Sequence, residues 1–152
     1  MHRERTEIAI FGEALVDFLP EKRGRLRHVE TFRRTSGGAP CNVAVGLARL
    51  GISARLITLV GDDEFGHYLR TRLRDEGVDV SALHPTRRAK TGITFVSLTE
   101  EGERSFLFFR EPSADLCVTP DDFTNVFPPR ELLHLGTNLM TYADGLDASV
   151  DV

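Results

Sequence analysis

A chain of 152 residues has room for one domain with a substantial core, since folding at that size buries about 68–70% of the unfolded surface. With 41% hydrophobic and 28% charged residues, the composition excludes a disordered or fibrous class. A formal net charge of -4 argues against a general binder of nucleic-acid phosphates and favours small-molecule partners.

Cys41 and Cys117 belong to no CxxC or Cys/His cluster, so neither a disulfide framework nor a zinc site is expected, and a reduced, cytoplasmic setting is the default. Met1 to Glu7 is polar and leads into an apolar run of four residues, too short for a signal or a membrane span. No targeting segment is expected.

Ile8 to Phe11 is a short apolar run closed by Gly12, the pattern of a strand buried on both faces of a parallel sheet. Asp17 is expected just beyond that strand, where open α/β sheets place ligands; a surface acid capping a turn fits the same residue. From Pro20 to Thr35 the chain is polar and basic, with Lys22, Arg23, Arg25, Arg27, Arg33 and Arg34 around Leu26, Val29 and Phe32. Lacking interleaved aromatics, it reads as the solvated face of an exposed hairpin rather than a nucleic-acid surface.

Gly37 and Gly38 let backbone approach another group closely, Pro40 is pre-set for a first helical turn, and small or apolar residues follow at a helical period as far as Gly51. The head of that helix offers backbone N–H groups to a polar ligand, and Asn42 adds an amide that both donates and accepts. A tight turn with no ligand uses the same residues.

Ala54 to Val60 is a second buried strand ending at Gly61. Asp62 or Asp63 then caps a helix on which Phe65, Leu69 and Leu73 recur every four residues, and Gly77 closes it. This βαβα order predicts a parallel sheet with helices on its faces. Neither a GxGxxG after the first strand nor a GxxxxGK[ST] anywhere is present, so the dinucleotide and Walker fingerprints are absent.

Thr94 to Leu98 and Phe106 to Phe109 read as a hairpin with Gly102 in its loop, Phe106 and Phe108 on one face and Phe109 on the other. With residues 20–35 it is expected to form a small separate sheet over the strand ends, a lid that excludes water. Thr119-Pro-Asp-Asp is a helix start, and Leu132 to Leu135 is a further buried strand ending at Gly136. Asn138 follows at that strand's end, and another helix is expected to begin at Thr141.

Four runs in order resemble the N-terminal half of the ribokinase-like (PfkB) carbohydrate kinases, and among them the fructokinases. They are Gly12-Glu-Ala-Leu-Val-Asp17, Gly37-Gly-Ala-Pro-Cys-Asn42 with the helix to Gly51, Val60-Gly-Asp-Asp-Glu-Phe-Gly66, and Phe108-Phe-Arg-Glu-Pro-Ser-Ala-Asp115. The resemblance implies a Rossmann-like α/β core, here incomplete (residues 1–19, 36–90 and 111–152), with a β lid (20–35 and 91–110). It also implies transfer of the γ-phosphate of ATP to a sugar hydroxyl with Mg2+.

Carried over by position, Asp17 holds sugar hydroxyls, Gly37 and Gly38 let the sugar approach backbone, Asn42 hydrogen-bonds it, and Phe108 and Arg110 reach in from the lid. A carboxylate and an amide fix adjacent hydroxyls while an aromatic wall covers the apolar side of the sugar. The resemblance assigns no catalytic residue and no metal ligand within this sequence. The family's Gly-Ala-Gly-Asp motif, source of the general base and of phosphate-binding amides, does not occur here. Those parts and the main ATP and Mg2+ segments being missing, the chain alone is expected to lack kinase activity.

The alternatives are a non-catalytic sugar-binding or lid-mediated interaction module, and a 2-keto-3-deoxygluconate or nucleoside kinase of the same family. Expected partners are a small sugar and a second copy pairing through the lid, with no nucleic acid and no membrane. A sheet cut midway also leaves an unpaired edge, through which the isolated chain is expected to associate or be marginally stable.

Overall fold

The computed structural model describes residues 7–99, 102–124, 126 and 132–138. In chain order they form β1 (Glu7–Phe11), β2 (Leu15–Pro20), β3 (Phe32–Gly37), α1 (Ala39–Arg49), β4 (Ser53–Gly61), α2 (Glu64–Asp75), β5 (Leu83–Thr86), β6 (Ile93–Leu98), β7 (Arg104–Phe109) and β8 (Leu132–Leu135). Short 3₁₀ turns lie at Leu26–His28, Ala114–Leu116 and Pro120–Phe123.

The apolar runs Ile8–Phe11 and Ala54–Val60 become the inner strands of a parallel sheet of order β5-β4-β1-β8, whereas Leu132–Leu135, expected to be buried, lies at the edge of this sheet and leaves Leu132 exposed. Alternation along the inner strands fills both faces. Ile10, Leu56 and Val60 pack with Ala44 of α1 and Leu69 and Leu73 of α2, while Ala9, Phe11, Ile57 and Leu59 meet Ala114, Val118 and Phe123 on the other side. Each large side chain buried this way contributes about 1.5–3 kcal/mol.

From β1 the chain adds β4 and β5 on one side and later β8 on the other, so strand order reverses at β1/β8. In open α/β sheets the crevice beyond the carboxyl ends of such strands is where ligands bind. Gly12 and Gly136 end the two strands there, and the Gly136 N–H donates to the Phe11 carbonyl at 2.7 Å. The Pro40 ring fills the space beside both glycines; a Cβ on either would run into it.

The remaining strands form a second sheet of order β3-β2-β6-β7, antiparallel at β2/β3 and β6/β7 and parallel at β2/β6. Phe18 stacks on Phe95 with centroids 4.9 Å apart and meets Phe65 of α2 edge-on at 5.8 Å, fastening this sheet to the first layer.

Several features differ from the sequence-based expectations. Asp17 lies inside β2, not just past β1, and the boundaries expected at residues 19/20 and 35/36 fall within β2 and β3. The pairing that makes Leu15–Pro20 a strand comes from β3 and β6, both remote in sequence. β5 is a strand beyond those expected; it contains Pro85 and is an edge strand, where proline is tolerated. The Thr119 signal forms its capping box, with Thr119 N and Oγ1 donating to Asp122 Oδ2 at 2.8 and 2.9 Å, but starts one 3₁₀ turn rather than a long helix. The helix expected from Thr141 lies outside the described residues.

Candidate functional site

The second sheet aligns residues that the sequence scatters. Asp17 stands opposite Thr35 of β3 and Thr94 of β6, and Thr94 stands opposite Phe108 of β7. In-register neighbours share a face, so Thr35, Asp17, Thr94 and Phe108 form one row across four strands. Gly37 lies two residues beyond Thr35 on that face. A Cβ there would lie within 2.5 Å of Oδ1, Oδ2 and Cγ of Asp17, so the carboxylate occupies space that only glycine leaves free. At Gly38 the backbone has φ 99°, in the left-handed region, and a Cβ would stand 2.6 Å from the Glu13 carbonyl oxygen.

Burial pushes the Asp17 carboxyl above its ordinary value, and the adjacent Thr94 hydroxyl opposes the shift in part. Thr94 Oγ1 is itself buried and makes no well-formed hydrogen bond, and the same holds for Glu13 Oε2. Unmet buried polar atoms are uncommon in folded proteins, and of the three such side-chain atoms among the described residues, two are at this site. Burial first, then the Asp17 and Glu13 carboxylates, push the Cys41 thiol up to about 12 against a hydrogen bond with Ser36, so it is not a nucleophile at neutral pH.

Glu13 is 1% exposed and bridges segments far apart in sequence. Its Oε1 accepts from Ala39 N–H at 3.3 Å and from Asn138 Nδ2 at 3.1 Å. Asn42 is exposed on the first turn of α1, its N–H donating to the Gly38 carbonyl at 2.9 Å. Phe108 is half exposed and stacks on Phe106 at 5.9 Å, while Phe109 turns to the other face and meets Phe95 at 5.8 Å, as alternation requires.

Arg110 follows β7 and is buried. Its Nε donates to Asp115 Oδ2 at 2.9 Å, its Nη2 donates to the same oxygen, and Ser113 Oγ donates to Asp115 Oδ1 at 2.7 Å. Gly92 makes room for this pair, since a Cβ there would lie 3.2 Å from Asp115 Oδ1 and 3.3 Å from Arg110 Cγ.

Asp17, Gly37 and Phe108 therefore share one face, Gly38 and Asn42 follow at the adjoining head of α1, and the Arg110 guanidinium is engaged by Asp115. Sequence reasoning assigned nothing to Glu13, Thr94 or Asp115. Glu13 and Asp115 were visible as carboxylates inside the Gly12–Asp17 and Phe108–Asp115 runs, whereas Thr94 acquires meaning only from strand register.

Among the described residues no group of three or more His, Cys, Asp or Glu side chains is placed to hold a metal ion. At the head of α1 the Ala39 N–H donates to Glu13 Oε1, and the first intrahelical bond runs from Asn42 N–H to the Gly38 carbonyl. No set of ligands for Mg2+ is gathered among the described residues, and no step of phosphoryl transfer is derived from them. Among the described residues no helix is long and apolar enough to cross a membrane.

The family described as pfkB family carbohydrate kinase matches residues 5–147. A probable fructokinase of Arabidopsis thaliana is 43% identical over 134 residues, covering 87% of this chain and 39% of its own length. The crystal structure of fructokinase from Xylella fastidiosa has a TM-score of 0.84 at 37% identity, covering 95% of this chain and 45% of that one. Fructokinase from Vibrio cholerae O395, in a fructose, ADP and calcium ion bound form, has a TM-score of 0.82 at 32% identity, covering 96% of this chain and 45% of that one. The chain therefore spans less than half the length of these relatives. Its two-sheet α/β architecture is that of ribokinase-like sugar kinases, and the chain belongs to the pfkB family of carbohydrate kinases.

Proposed function

We propose that this chain is the sugar-binding and lid half of an ATP-dependent sugar kinase acting on fructose or a similar monosaccharide. The observation that carries the reading is the packing of the Asp17 carboxylate into the space left by Gly37, in one row with Thr94 and Phe108. An ionised Asp17 accepts hydrogen bonds from sugar hydroxyls, Gly37 and Gly38 allow the ring to reach backbone, and Asn42 supplies a donor and an acceptor. Phe108 covers the apolar side of the sugar. Arg110 stands at the end of β7 with its guanidinium fixed by the ion pair to Asp115.

The second sheet acts as the lid, and the Phe18–Phe65 contact packs it against α2. When bound, ATP and Mg2+ supply the phosphoryl group and neutralise its charge. The Gly-Ala-Gly-Asp run that the resemblance links to that chemistry is not among these residues, so residues 1–152 by themselves bind sugar without phosphorylating it. A cytoplasmic location accompanies this reading, consistent with the free thiols of Cys41 and Cys117.

Calorimetric titration with D-fructose tests it. Binding that disappears in Asp17→Asn, with no ATP-dependent phosphorylation, is expected. Absence of sugar binding by the folded chain overturns the site, and turnover overturns the inactivity. Titration with 2-keto-3-deoxygluconate or a nucleoside separates the related substrate classes.

One observation favours an interaction role for the lid: Phe106, Leu107, Phe108 and Phe109 are each about half exposed on the edge strand β7. Sedimentation velocity should then show a dimer that Leu107→Asp weakens, and a monomer at all concentrations removes that role.

A further inference from the structure

The roles above leave Glu13 unused, yet it occupies the crevice where strand order reverses. One oxygen, Oε1, takes both the Ala39 N–H at the head of α1 and the Asn138 amide beyond β8. The Glu13 main chain also underlies the glycine turn, since a Cβ on Gly38 would stand 2.6 Å from its carbonyl oxygen and 3.2 Å from its Cγ. One residue thus touches the β1–β2 turn, the glycine turn and the end of β8.

The other oxygen, Oε2, is buried and has no hydrogen-bond donor. A carboxylate desolvated with half its acceptors unmet is a poor source of stability, and apolar groups of similar volume commonly stabilise such sites as well or better. What Glu13 contributes is geometry. We propose that Glu13 is a positioning residue of the sugar site: it fixes the Gly37–Gly38 turn against the Asn138 segment, so that Asp17 and the turn's backbone meet one sugar together. The role presupposes the sugar-binding function proposed for this chain.

Two variants separate geometry from stability. Glu13→Gln keeps an oxygen that accepts from both donors, and Glu13→Leu keeps the volume without the acceptor. D-Fructose affinity is measured by calorimetry on the 152-residue chain at a temperature where circular dichroism shows every variant folded. Amide hydrogen exchange at Gly38 and Ala39 is followed without sugar. The Gln variant should bind within about threefold of wild type, whereas the Leu variant should bind at least about tenfold more weakly and exchange faster at Ala39.

A purely structural Glu13 would instead lower the melting temperature of the Leu variant and leave the affinity of folded protein unchanged, which overturns the proposal. If wild-type protein binds no sugar, the sugar-binding function falls, and exchange decides the clamp separately. Unchanged exchange at Gly38 and Ala39 in Glu13→Leu overturns it.

Discussion

Gly37→Ala tests the packing on which the sugar site depends. The added methyl would sit within 2.5 Å of three atoms of the Asp17 carboxyl group, closer than real Cβ contacts come, so something must move. Gly37 pairs with Leu15 at the end of a six-residue β2/β3 ladder, which resists backbone separation, so the displaced group is the carboxylate. Overpacking of this kind costs about 1–3 kcal/mol. Expressed in the fold, each kcal/mol lowers the melting temperature by about 2–4 °C for a chain of this size. Expressed as lost orientation of Asp17, the same energy weakens sugar binding by about 5- to 150-fold.

Thermal unfolding and D-fructose titration, run beside Gly46→Ala, divide the two. Gly46 lies inside α1 with nothing within 4 Å of a built Cβ, so alanine there should stabilise by about 0.5–1 kcal/mol and leave binding unchanged. Wild-type stability together with wild-type affinity in Gly37→Ala would show that Asp17 does not occupy that space.

Asp115→Ala leaves the Arg110 guanidinium buried without its carboxylate and should cost about 3–5 kcal/mol, read as a lower urea midpoint; an unchanged midpoint contradicts the pairing. Asp63→Ala removes the α2 cap and should cost about 0.5–2 kcal/mol at neutral pH. Burial raises the Asp63 carboxyl, but hydrogen bonds from Thr91, Gly66 and Phe65 outweigh it and hold it below 3.8. Its contribution is therefore present above that value and lost as pH falls through the folded value, so the gap between variant and wild type should close in acid. Asp17 has the opposite sign: raised above 3.8 by burial, its contribution is complete below that value and lost as pH rises through the folded value. Asp17→Asn should gain relative stability with rising pH across that window, while fructose affinity of the wild type increases as the carboxylate ionises.

Local chemistry alone located most of the parallel sheet. Ile8–Phe11 and Ala54–Val60 are uninterrupted apolar runs, and Asp63 caps α2 through Phe65 and Gly66 at 3.1 and 2.9 Å, as the sequence pattern required. The glycine pair was legible as a close approach but not as one to Asp17, because the two residues are brought together only by β2/β3 register. The same limit hid Thr94, whose neighbour comes from a parallel pairing across a long crossover. β5 was not among the expected strands; its few paired residues include Pro85, and an edge strand is decided by its partner more than by its own propensity. Glu13 and Asp115 could be noticed as carboxylates in apolar surroundings, but their partners, Asn138 at the far end of the chain and a buried Arg110, appear only on folding.

The most direct measurement is an amide NMR titration of the chain with D-fructose. Saturable shifts centred on Asp17, Gly37, Gly38, Asn42 and Thr94, and lost in Asp17→Asn, are expected. Shifts confined to other surfaces, such as the open pocket lined by Asp62, Arg88 and Lys90, or no saturable shifts at all, would contradict a sugar cradle at the glycine turn.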